Sequence, residues 1–330
     1  MRLLAEGRLP PSFLFAGPEG VGKRQFAVEV AKAVVCTNSV NGEACGECSA
    51  CRRCEVFQQA KEDDKDGHKL IQWSAHRDVG MVVPYNRHIL VDAIRDLEKE
   101  ANFRPFEAAA RVFIVDDADR MNDAAANAIL KTLEEPPAAS YIFLLTSRPD
   151  SMLATIRSRC QMIRFSPIQT NAIEEFLIRE NGYSADEARL AAAVSYGSIG
   201  RALSIKPAEY RERTELMIAV IRSIVRIGDA AALMNISKEL TEAKEKEHFE
   251  ENLDILESLI HDVWTLSVGA GAERVVHSEY AAELVQVAKM RPSSTFAGWI
   301  DAIEELRLSL DVNINKKVAT DALFVTMANG

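Results

Sequence analysis

The chain has 330 residues, which is enough for two or three domains with sizeable cores. Its 39 Lys and Arg against 49 Asp and Glu give a net charge of −10, which argues against a protein that binds nucleic acid by itself. It contains no run of about 18 or more apolar residues and no apolar segment of signal-peptide length near residue 1. We therefore expect a cytoplasmic protein without a membrane span.

The first predicted elements are a strand at residues 12–16 and a helix at 23–36. The strand is apolar throughout, which is typical of a buried parallel strand, and the helix has apolar residues at helical spacing. Between them, the sequence GPEGVGKR matches the phosphate-binding pattern G-x-x-x-x-G-K-[ST] at every position but the last. The residues in place are Gly17, Gly20, Gly22 and Lys23.

The last position of this loop departs from the pattern. In a phosphate loop, backbone N–H groups at a helix N-terminus cradle the phosphates, and Lys23 would neutralise the β- and γ-phosphates. Arg24 replaces the Ser or Thr that would hold Mg²⁺, and a guanidinium is a permanent cation with no lone pair for a metal. We expect ATP to bind weakly and with little or no Mg²⁺. The alternative is a glycine-rich turn that binds no nucleotide.

Five cysteines follow in a segment at 36–88 that we predict to be irregular. Disulfides are rare in the cytosol, so a tight cluster indicates a metal site. Two overlapping C-x-x-C pairs favour a structural Zn²⁺ site, closed by four thiolates with no open coordination position. The predicted ligands are Cys36, Cys45, Cys48 and Cys51.

The assignment of four ligands among five cysteines stays open. Cys54 follows Cys51 at the same spacing as Cys51 follows Cys48, so either end of the cluster could supply the fourth ligand. Free thiols in a loop are the alternative to a metal site. The charge run at 61–69 is predicted to be a solvated loop, and Cys160, far along the chain, a packed or motif residue.

Helices and strands alternate after residue 88. The predicted elements are a helix at 89–102, a strand at 111–117, a helix at 122–135 and a strand at 140–147. Asn122 or Asp123 is suited to cap the second helix, which Pro136 and Pro137 end. Alternation of this kind predicts an α/β domain with a mostly parallel sheet.

Two carboxylates end the strand RVFIVDD, as in the second motif of nucleotide-binding proteins. Asp116 would face Mg²⁺ through water, and Asp117 lies where hydrolytic proteins usually carry the Glu that activates water. Asp is one methylene shorter, and a misplacement of about 1 Å can cost on the order of 10²-fold in rate. The alternative is that both carboxylates only cap the next helix.

The segment TIRSRCQ at 155–161 places Arg157 and Arg159 in a short loop. An Arg at a subunit edge can reach the γ-phosphate of a nucleotide bound by a neighbour. A surface Arg paired with carboxylates is the alternative, and the spacing alone does not decide between them.

Beyond about residue 165 the pattern becomes helical. Two capped helices are predicted at 170–182 and 184–197, each closed by Gly, and an all-helical region from 207 onward. One face there carries Leu253, Leu256, Ile260, Val263 and Trp264 at helical spacing, and we expect Trp264 and Trp299 to lie in the core.

Taken together, these stretches resemble the clamp-loader ATPases of bacterial replication, in the AAA+ superfamily. The stretches are GPEGVGK, the four-Cys insert, ILVDAIRDLEKEANFRPFEAAARVFIVDDADRMNDAAANAILKTLEEPP and MLATIRSRCQMIRFSPI. The resemblance is dense over 12–203, and SLDVNINKKVATDALF resembles the end of the family's oligomerisation collar. It implies an α/β AAA+ P-loop domain with a parallel sheet at 1–165 that carries the zinc insert at 36–54, a small helical lid at 166–206 and an all-α collar at 207–330.

The resemblance also implies roles for single residues. The ATP-binding members carry Gly-Lys-Thr or Gly-Lys-Ser, so this chain is most similar to the member whose loop is degenerate. The family's Ser-Arg-Cys motif, here Ser158-Arg159-Cys160, makes Arg159 a trans arginine finger. Thr146 falls at the strand-end sensor position and Arg201 near the second sensor position.

The implied partners are the gamma/tau and delta subunits of a five-membered ring and, through that complex, the sliding clamp and primer-template DNA. The chain would have weak or absent ATPase activity of its own and belong to the replicative DNA polymerase holoenzyme. Relatives carry a longer segment before the first strand that helps to hold adenine, so we expect its shortness here to weaken nucleotide binding further.

Two other functions stay open. Lys23, Asp116 and Thr146 favour an active gamma/tau-like ATPase, whereas Arg24 and Asp117 oppose it, and turnover by the isolated chain would separate the two. A zinc-bearing nucleic-acid module is opposed by the acidic balance and by the few aromatic residues near the cysteines.

Overall fold

The computed structural model describes residues 8–225, 230–242, 248–271, 274–310 and 315–329. The chain divides into two compact units. The first contains Met1–Ile173 and Ser195–Leu203, and the second contains Glu174–Val194 and Ser204–Gly330.

The first unit is built on one six-stranded sheet. The strands are β1 (Ser12–Ala16), β2 (Gln72–Trp73), β3 (Val79–Val82), β4 (Arg111–Val115), β5 (Ser140–Thr146) and β6 (Gln161–Arg164). Their order is β2-β3-β4-β5-β1-β6, and all neighbours pair in parallel except β2 and β3. This confirms the predicted α/β class with a mostly parallel sheet.

The helices follow the predicted alternation. They are α1 (Lys23–Val35), α2 (Ser49–Cys54), α3 (Val91–Ala101), α4 (Asp123–Glu134), α5 (Ala154–Arg157), α6 (Thr170–Asn181), α7 (Ala185–Val194) and α8 (Ile199–Ser204). The side chain of Asn122 accepts the N–H of Ala125 at 2.9 Å and so caps α4, as expected for one of its two candidate caps. Among the described helices, we find none with both the length and the apolar character needed to cross a membrane.

The prediction of an irregular segment at 36–88 was wrong in part. This segment contains α2 and two strands, and β3 lies inside the sheet between β2 and β4. The sequence VGMV is too short to show periodicity, and Gly80 is there because a Cβ would lie 2.4 Å from Ile71 Cγ2. The edge strand β6 was also missed, since its side chains are exposed or half-buried.

The second unit is helical in the part that the structure describes. After α7 its helices are α9 (Pro207–Val225), α10 (Ala230–Thr241), α11 (Phe249–Ser267), α12 (Ala281–Met290), α13 (Ser293–Leu310) and α14 (Lys316–Asn329). The predicted apolar face of α11 is buried at Leu253, Leu256, Ile260 and Val263, and Trp299 is buried on α13.

Trp264 was wrongly assigned to the core. Its side chain is 37% exposed. It follows Val263 directly, and one residue turns a helix by about 100°, which carries Trp264 off the buried stripe. A buried polar network nearby was not predicted: the Asp262 carboxylate accepts the N–H of His277 at 2.8 Å, and Tyr210 Oη lies 2.9 Å from His277 Nε2.

A fully buried carboxylate holds the loop that joins α3 to β4. Asp78 accepts the backbone N–H groups of Phe106, Glu107 and Ala108 at 2.6, 2.8 and 2.9 Å. Arg111 Nε lies 3.7 Å from the same carboxylate. Since a buried carboxylate is tolerated only with such partners, the loop and Asp78 depend on each other.

We predict that Asp78→Ala destabilises the first unit strongly. The substitution removes the acceptor of three backbone N–H groups and a buried carboxylate beside Arg111, which keeps Glu100 as a partner, so we expect a loss of about 3–5 kcal/mol in the free energy of unfolding. Asp78→Asn keeps one acceptor oxygen and should lose less. Urea unfolding followed by circular dichroism measures both. Asp92→Ala, which removes an exposed carboxylate, serves as the control. Its free energy of unfolding should lie within about 0.5 kcal/mol of the wild-type value. Equal losses for Asp78→Ala and Asp92→Ala would contradict the assignment.

Candidate nucleotide and metal sites

The phosphate-type loop lies between β1 and α1. Gly20 and Gly22 have φ of 69° and 97°, in the left-handed region that favours glycine. A Cβ on Gly17 would lie 2.4 Å from the carbonyl oxygen of Phe165 just after β6. Gly17 therefore permits close packing against the residue after β6, Gly20 permits both a left-handed backbone and close packing against Ser198, and Gly22 permits the left-handed backbone alone.

Lys23 folds back onto its own loop. Its Nζ donates to the carbonyl oxygens of Gly17 at 2.6 Å and Pro18 at 2.7 Å. Burial lowers the pKa of Lys23, while the carboxylates of Asp117 and Asp116 oppose that change. In this arrangement the ammonium of Lys23 is hydrogen-bonded to the loop carbonyls, whereas in a nucleotide site it would face the phosphates.

Arg24 supplies a cation where a nucleotide-binding protein would hold a metal. Its Nη1 lies 3.5 Å from Asp116 Oδ2, and its side chain is 46% exposed. Burial raises the pKa of Asp116, and the charge of Arg24 acts against that rise. The ion pair thus gives Asp116 the positive neighbour that Mg²⁺ would provide.

Asp117 takes part in a turn. Its φ is 47°, its carbonyl oxygen accepts the N–H of Arg120 at 2.8 Å, and its Oδ2 lies 3.3 Å from Arg120 Nε. These contacts fit the interpretation that the second carboxylate begins the helical turn after β4.

Thr146 lies at the end of β5 beside the loop, because the carboxyl ends of parallel strands meet at one edge of the sheet. The Gly17 N–H donates to the Thr146 carbonyl at 3.1 Å. The Thr146 hydroxyl donates to the buried Asp119 at 2.7 Å, and Arg148 Nε donates to the same carboxylate at 3.0 Å. The motif analysis missed Asp119; the third Asp in DDADR was its only sequence signal.

The predicted second sensor position also reaches the loop, through the backbone. The Gly200 N–H donates to the Gly20 carbonyl at 2.9 Å, and the Ser198 hydroxyl accepts the N–H of Arg201 at 3.1 Å. The Arg201 guanidinium lies 5.3 Å from the centre of the Tyr196 ring. The loop is therefore braced by α8 on one side and by β6 on the other.

Arg159 lies at the opposite edge of the sheet from this loop. It precedes β6, and Gln161 of β6 pairs with Phe13 at the start of β1, whereas the loop follows the end of β1. Five residues at about 3.3 Å each separate the two edges by roughly 16 Å. Arg159 therefore faces away from its own chain's loop.

Two groups of the same chain hold Arg159. Its Nη2 donates to Glu134 Oε1 at 2.5 Å, and its Nη1 donates to the Thr155 carbonyl at 2.8 Å. The side chain is 32% exposed. Glu134 was not singled out in the sequence, because the pair joins residues that are distant in the chain. Arg157 pairs separately with Asp150 at 3.0 Å.

The four predicted metal ligands lie together. Their Sγ atoms are all within 4.8 Å of one another, with 3.6 Å between Cys36 and Cys45 and 4.0 Å between Cys45 and Cys51. A tetrahedral ion about 2.3 Å from four sulfurs places them about 3.8 Å apart. The cluster therefore has the size that a tetrahedral thiolate site requires.

Backbone donors support the cluster. The N–H groups of Cys48 and Cys51 each lie 3.4 Å from the sulfur three residues earlier. Hydrogen bonds from Cys51 and Thr37 lower the pKa of Cys48 to about 5, whereas burial raises the pKa of Cys51 to about 12. Gly46, with φ of 75°, allows the chain to turn between ligands. Such donors stabilise the thiolate form that binds metals.

Four of the five cysteines form the cluster, and Cys54 lies outside it. Cys54 is fully buried in the apolar core beneath α1, and burial raises its pKa to about 12. Cys51 is equally buried and burial also raises its pKa to about 12, so Cys54 is distinguished by the position of its sulfur outside the cluster of four. Cys160 is also packed, as predicted, and burial raises its pKa to about 12.

The strand order, the loop after β1, the carboxylates after β4 and the polar residue after β5 define the class of protein. The first unit is an α/β domain with a P-loop-type turn after β1, in which a side-chain cation faces the carboxylate after β4. A family model described as "DNA polymerase III, delta subunit" matches residues 1–169. The chain belongs to this family.

Individual relatives agree with that family. The chain is 27% identical over 328 residues to the DNA polymerase III subunit delta' of Bacillus subtilis, across 99% of this chain and 93% of that protein. It is 30% identical to the DNA polymerase III subunit delta' of Escherichia coli across 69% of this chain and 64% of that protein. It is 34% identical to the subunit tau of Bacillus subtilis across 52% of this chain and 27% of that protein.

We predict that Arg24→Thr makes nucleotide binding dependent on Mg²⁺. The hydroxyl restores a metal ligand and the substitution removes the competing cation, so affinity with Mg²⁺ should rise about tenfold, or roughly 1.4 kcal/mol. Equilibrium binding of a fluorescent ADP analogue, with and without Mg²⁺, measures this. Arg24→Ala removes the cation without adding the hydroxyl and is the matched control. Equal behaviour of the two variants would contradict a role for the metal ligand.

Proposed function

We propose that this chain is the delta-prime subunit of the DNA polymerase III clamp loader, with weak or absent ATPase activity of its own. The family match and the two relatives named delta' support this assignment. In a ring with gamma/tau and delta subunits, it would help to load the sliding clamp onto primer-template DNA. Residues 1–165 would form the nucleotide-binding-like core, 166–206 the lid and 207–330 the collar that joins the ring.

The observation that supports this proposal is that the phosphate-type loop and Arg159 lie at opposite edges of one sheet. At the carboxyl edge, Lys23 and Arg24 are held by groups of their own chain. At the amino edge, Arg159 pairs with Glu134 of its own chain and lies too far from that loop to act on it. An arginine in this place is suited to a nucleotide bound by a neighbouring subunit, whose γ-phosphate it would stabilise during hydrolysis.

An active gamma/tau-like ATPase is the alternative for the same fold. Such a subunit needs a metal ligand after Lys23 and a carboxylate free to orient water. Arg24 faces Asp116, and Asp117 is turned toward Arg120, so neither requirement is supported. The positions of Lys23 and Thr146 are also compatible with a domain that keeps only the shape of the nucleotide site.

We predict that Arg159→Ala suppresses ATP hydrolysis in the assembled clamp loader. A trans arginine is worth on the order of 10³-fold or more in rate, so turnover at the neighbour's site should fall by about that factor on primed DNA. Size-exclusion chromatography should show an intact complex, because the substitution changes one surface side chain. Steady-state ATPase of the reconstituted complex measures the effect.

Arg157→Ala is the matched control for this experiment. Arg157 lies two residues away, is similarly exposed and pairs with Asp150, so its loss should leave turnover unchanged. Normal ATPase activity in the Arg159→Ala complex would contradict the finger assignment.

The cysteine cluster would hold one structural Zn²⁺. Four thiolates from Cys36, Cys45, Cys48 and Cys51 leave no position for water or substrate, so the ion would stabilise the insert and take no part in chemistry. Cys36 directly follows α1, and Lys32 of α1 contacts Glu55 at 2.6 Å just after α2. The ion would therefore fix the insert against the helix that begins at the phosphate-type loop.

We predict about one Zn²⁺ per chain after purification under reducing conditions. Cys51→Ser should remove the metal and lower the melting temperature, whereas Cys54→Ala should keep it, because Cys54 lies in the apolar core. Metal analysis by mass spectrometry and thermal unfolding with a chelator measure these effects. Wild-type protein with almost no metal, or loss of metal in Cys54→Ala, would overturn the ligand assignment.

A further inference from the structure

A recess of about 680 Å³ opens at the β2 end of the sheet, outside the nucleotide and cysteine sites. We call it the aromatic–arginine recess, and its main residues are Trp73, Arg77, Phe103, Arg104, Phe106 and Arg111. Arg111 begins β4, whereas Asp116 follows the end of that strand. The recess therefore lies at the edge of the sheet opposite to the phosphate-type loop.

The rim of the recess is held rigidly. Phe103 and Phe106 belong to the loop whose backbone N–H groups are anchored by the buried Asp78. Glu107 of the same loop forms two hydrogen bonds with Arg53 on α2, at 2.7 and 2.9 Å. Despite this anchoring, Phe103 is 54% exposed and Phe106 is 71% exposed. A fixed loop that presents two aromatic rings to solvent is a typical feature of a binding surface.

The arginines of the recess differ in whether a carboxylate pairs with them. In its floor, Arg111 stacks on Trp73 at 4.7 Å and is neutralised by Glu100 at 3.1 Å. On its rim, Arg77 lies over the Phe106 ring at 5.5 Å, and Arg104 is exposed. Throughout the described part of the chain, no carboxylate forms an ion pair with Arg77 or Arg104. The recess thus offers apolar rings together with two cations that lack counter-ions.

These features select an anionic ligand with a large apolar group. Single-stranded nucleic acid would need a positive groove that follows several phosphates. Here the concavity is a single recess of about 680 Å³ and not a groove that runs along the surface. A short acidic peptide needs only one apolar anchor and a few carboxylate contacts, which matches the charge and shape of the recess.

We propose that the aromatic–arginine recess binds an acidic peptide segment of a partner protein. An aromatic or large aliphatic side chain enters between Phe103 and Phe106 and contacts Trp73. Carboxylates on either side of it pair with Arg77 and Arg104. This site uses none of the residues assigned to nucleotide, metal or Arg159, so its failure would leave the clamp-loader proposal unchanged.

The test selects random peptides of about twelve residues, displayed on phage, against the full-length chain. Enriched sequences should be acidic and carry an aromatic or large aliphatic residue. A fluorescein-labelled copy of the most enriched peptide is then titrated by fluorescence polarisation. The double variant Arg77→Ala/Arg104→Ala should bind it at least about tenfold more weakly, and Phe106→Ala should bind it about tenfold more weakly.

Arg95→Ala is the matched control, since Arg95 is an exposed arginine of the same unit on α3 and should not affect binding. Thermal unfolding of the double variant should match the wild type, because both arginines are exposed and make no ion pair among the described residues. Enrichment without acidic or apolar preference, or binding that survives both the double variant and Phe106→Ala, would overturn the proposal. So would tight binding of an oligothymidine probe that depends on the same residues, since the recess would then be a nucleic-acid site.

Discussion

In the function we propose, the contact between Arg24 and Asp116 is the constraint on which the first unit depends. A P-loop domain hydrolyses ATP by placing a divalent cation between a hydroxyl after the loop lysine and a carboxylate after the neighbouring strand. Here a guanidinium stands 3.5 Å from that carboxylate, so positive charge is supplied by the chain itself. With Lys23 bonded to the loop carbonyls, the site keeps its shape without needing a nucleotide to neutralise it.

Because the charges of the loop are paired within the chain, we infer that the domain acts on other molecules through surface residues elsewhere on the sheet. Parallel strands bring the loop, Asp116 and Thr146 to one edge, and the same register carries Arg159 and the recess near Arg111 to the other. The insert adds rigidity to that arrangement, since Lys32 joins it to α1 and Arg53 joins it to the loop before β4. We infer that the domain acts as a scaffold whose value lies in where it holds its surface residues.

Much of this could be predicted from local pattern alone. The glycine-rich loop, the helical spacing of α3, the cap at Asn122 and the cysteine spacing are short-range signals, and each was confirmed in place. The prediction missed the strand VGMV because four residues carry no periodicity. Its glycine leaves room for the side chain of Ile71, which is a contact that the local pattern does not show. The partners Asp119 and Glu134, and the burial of Cys54, depend on contacts between segments distant in sequence. No spacing rule could separate Cys54 from Cys51; only the position of its sulfur outside the cluster does.

The central claim is most directly tested by nucleotide binding and turnover of the purified wild-type chain, measured with and without Mg²⁺. The account predicts no turnover above background and weak binding that Mg²⁺ does not change, because Arg24 already occupies the side of the site that faces Asp116. Tight, Mg²⁺-dependent binding accompanied by turnover would contradict it. Another group would then replace the missing hydroxyl, and the chain would be a motor subunit in its own right.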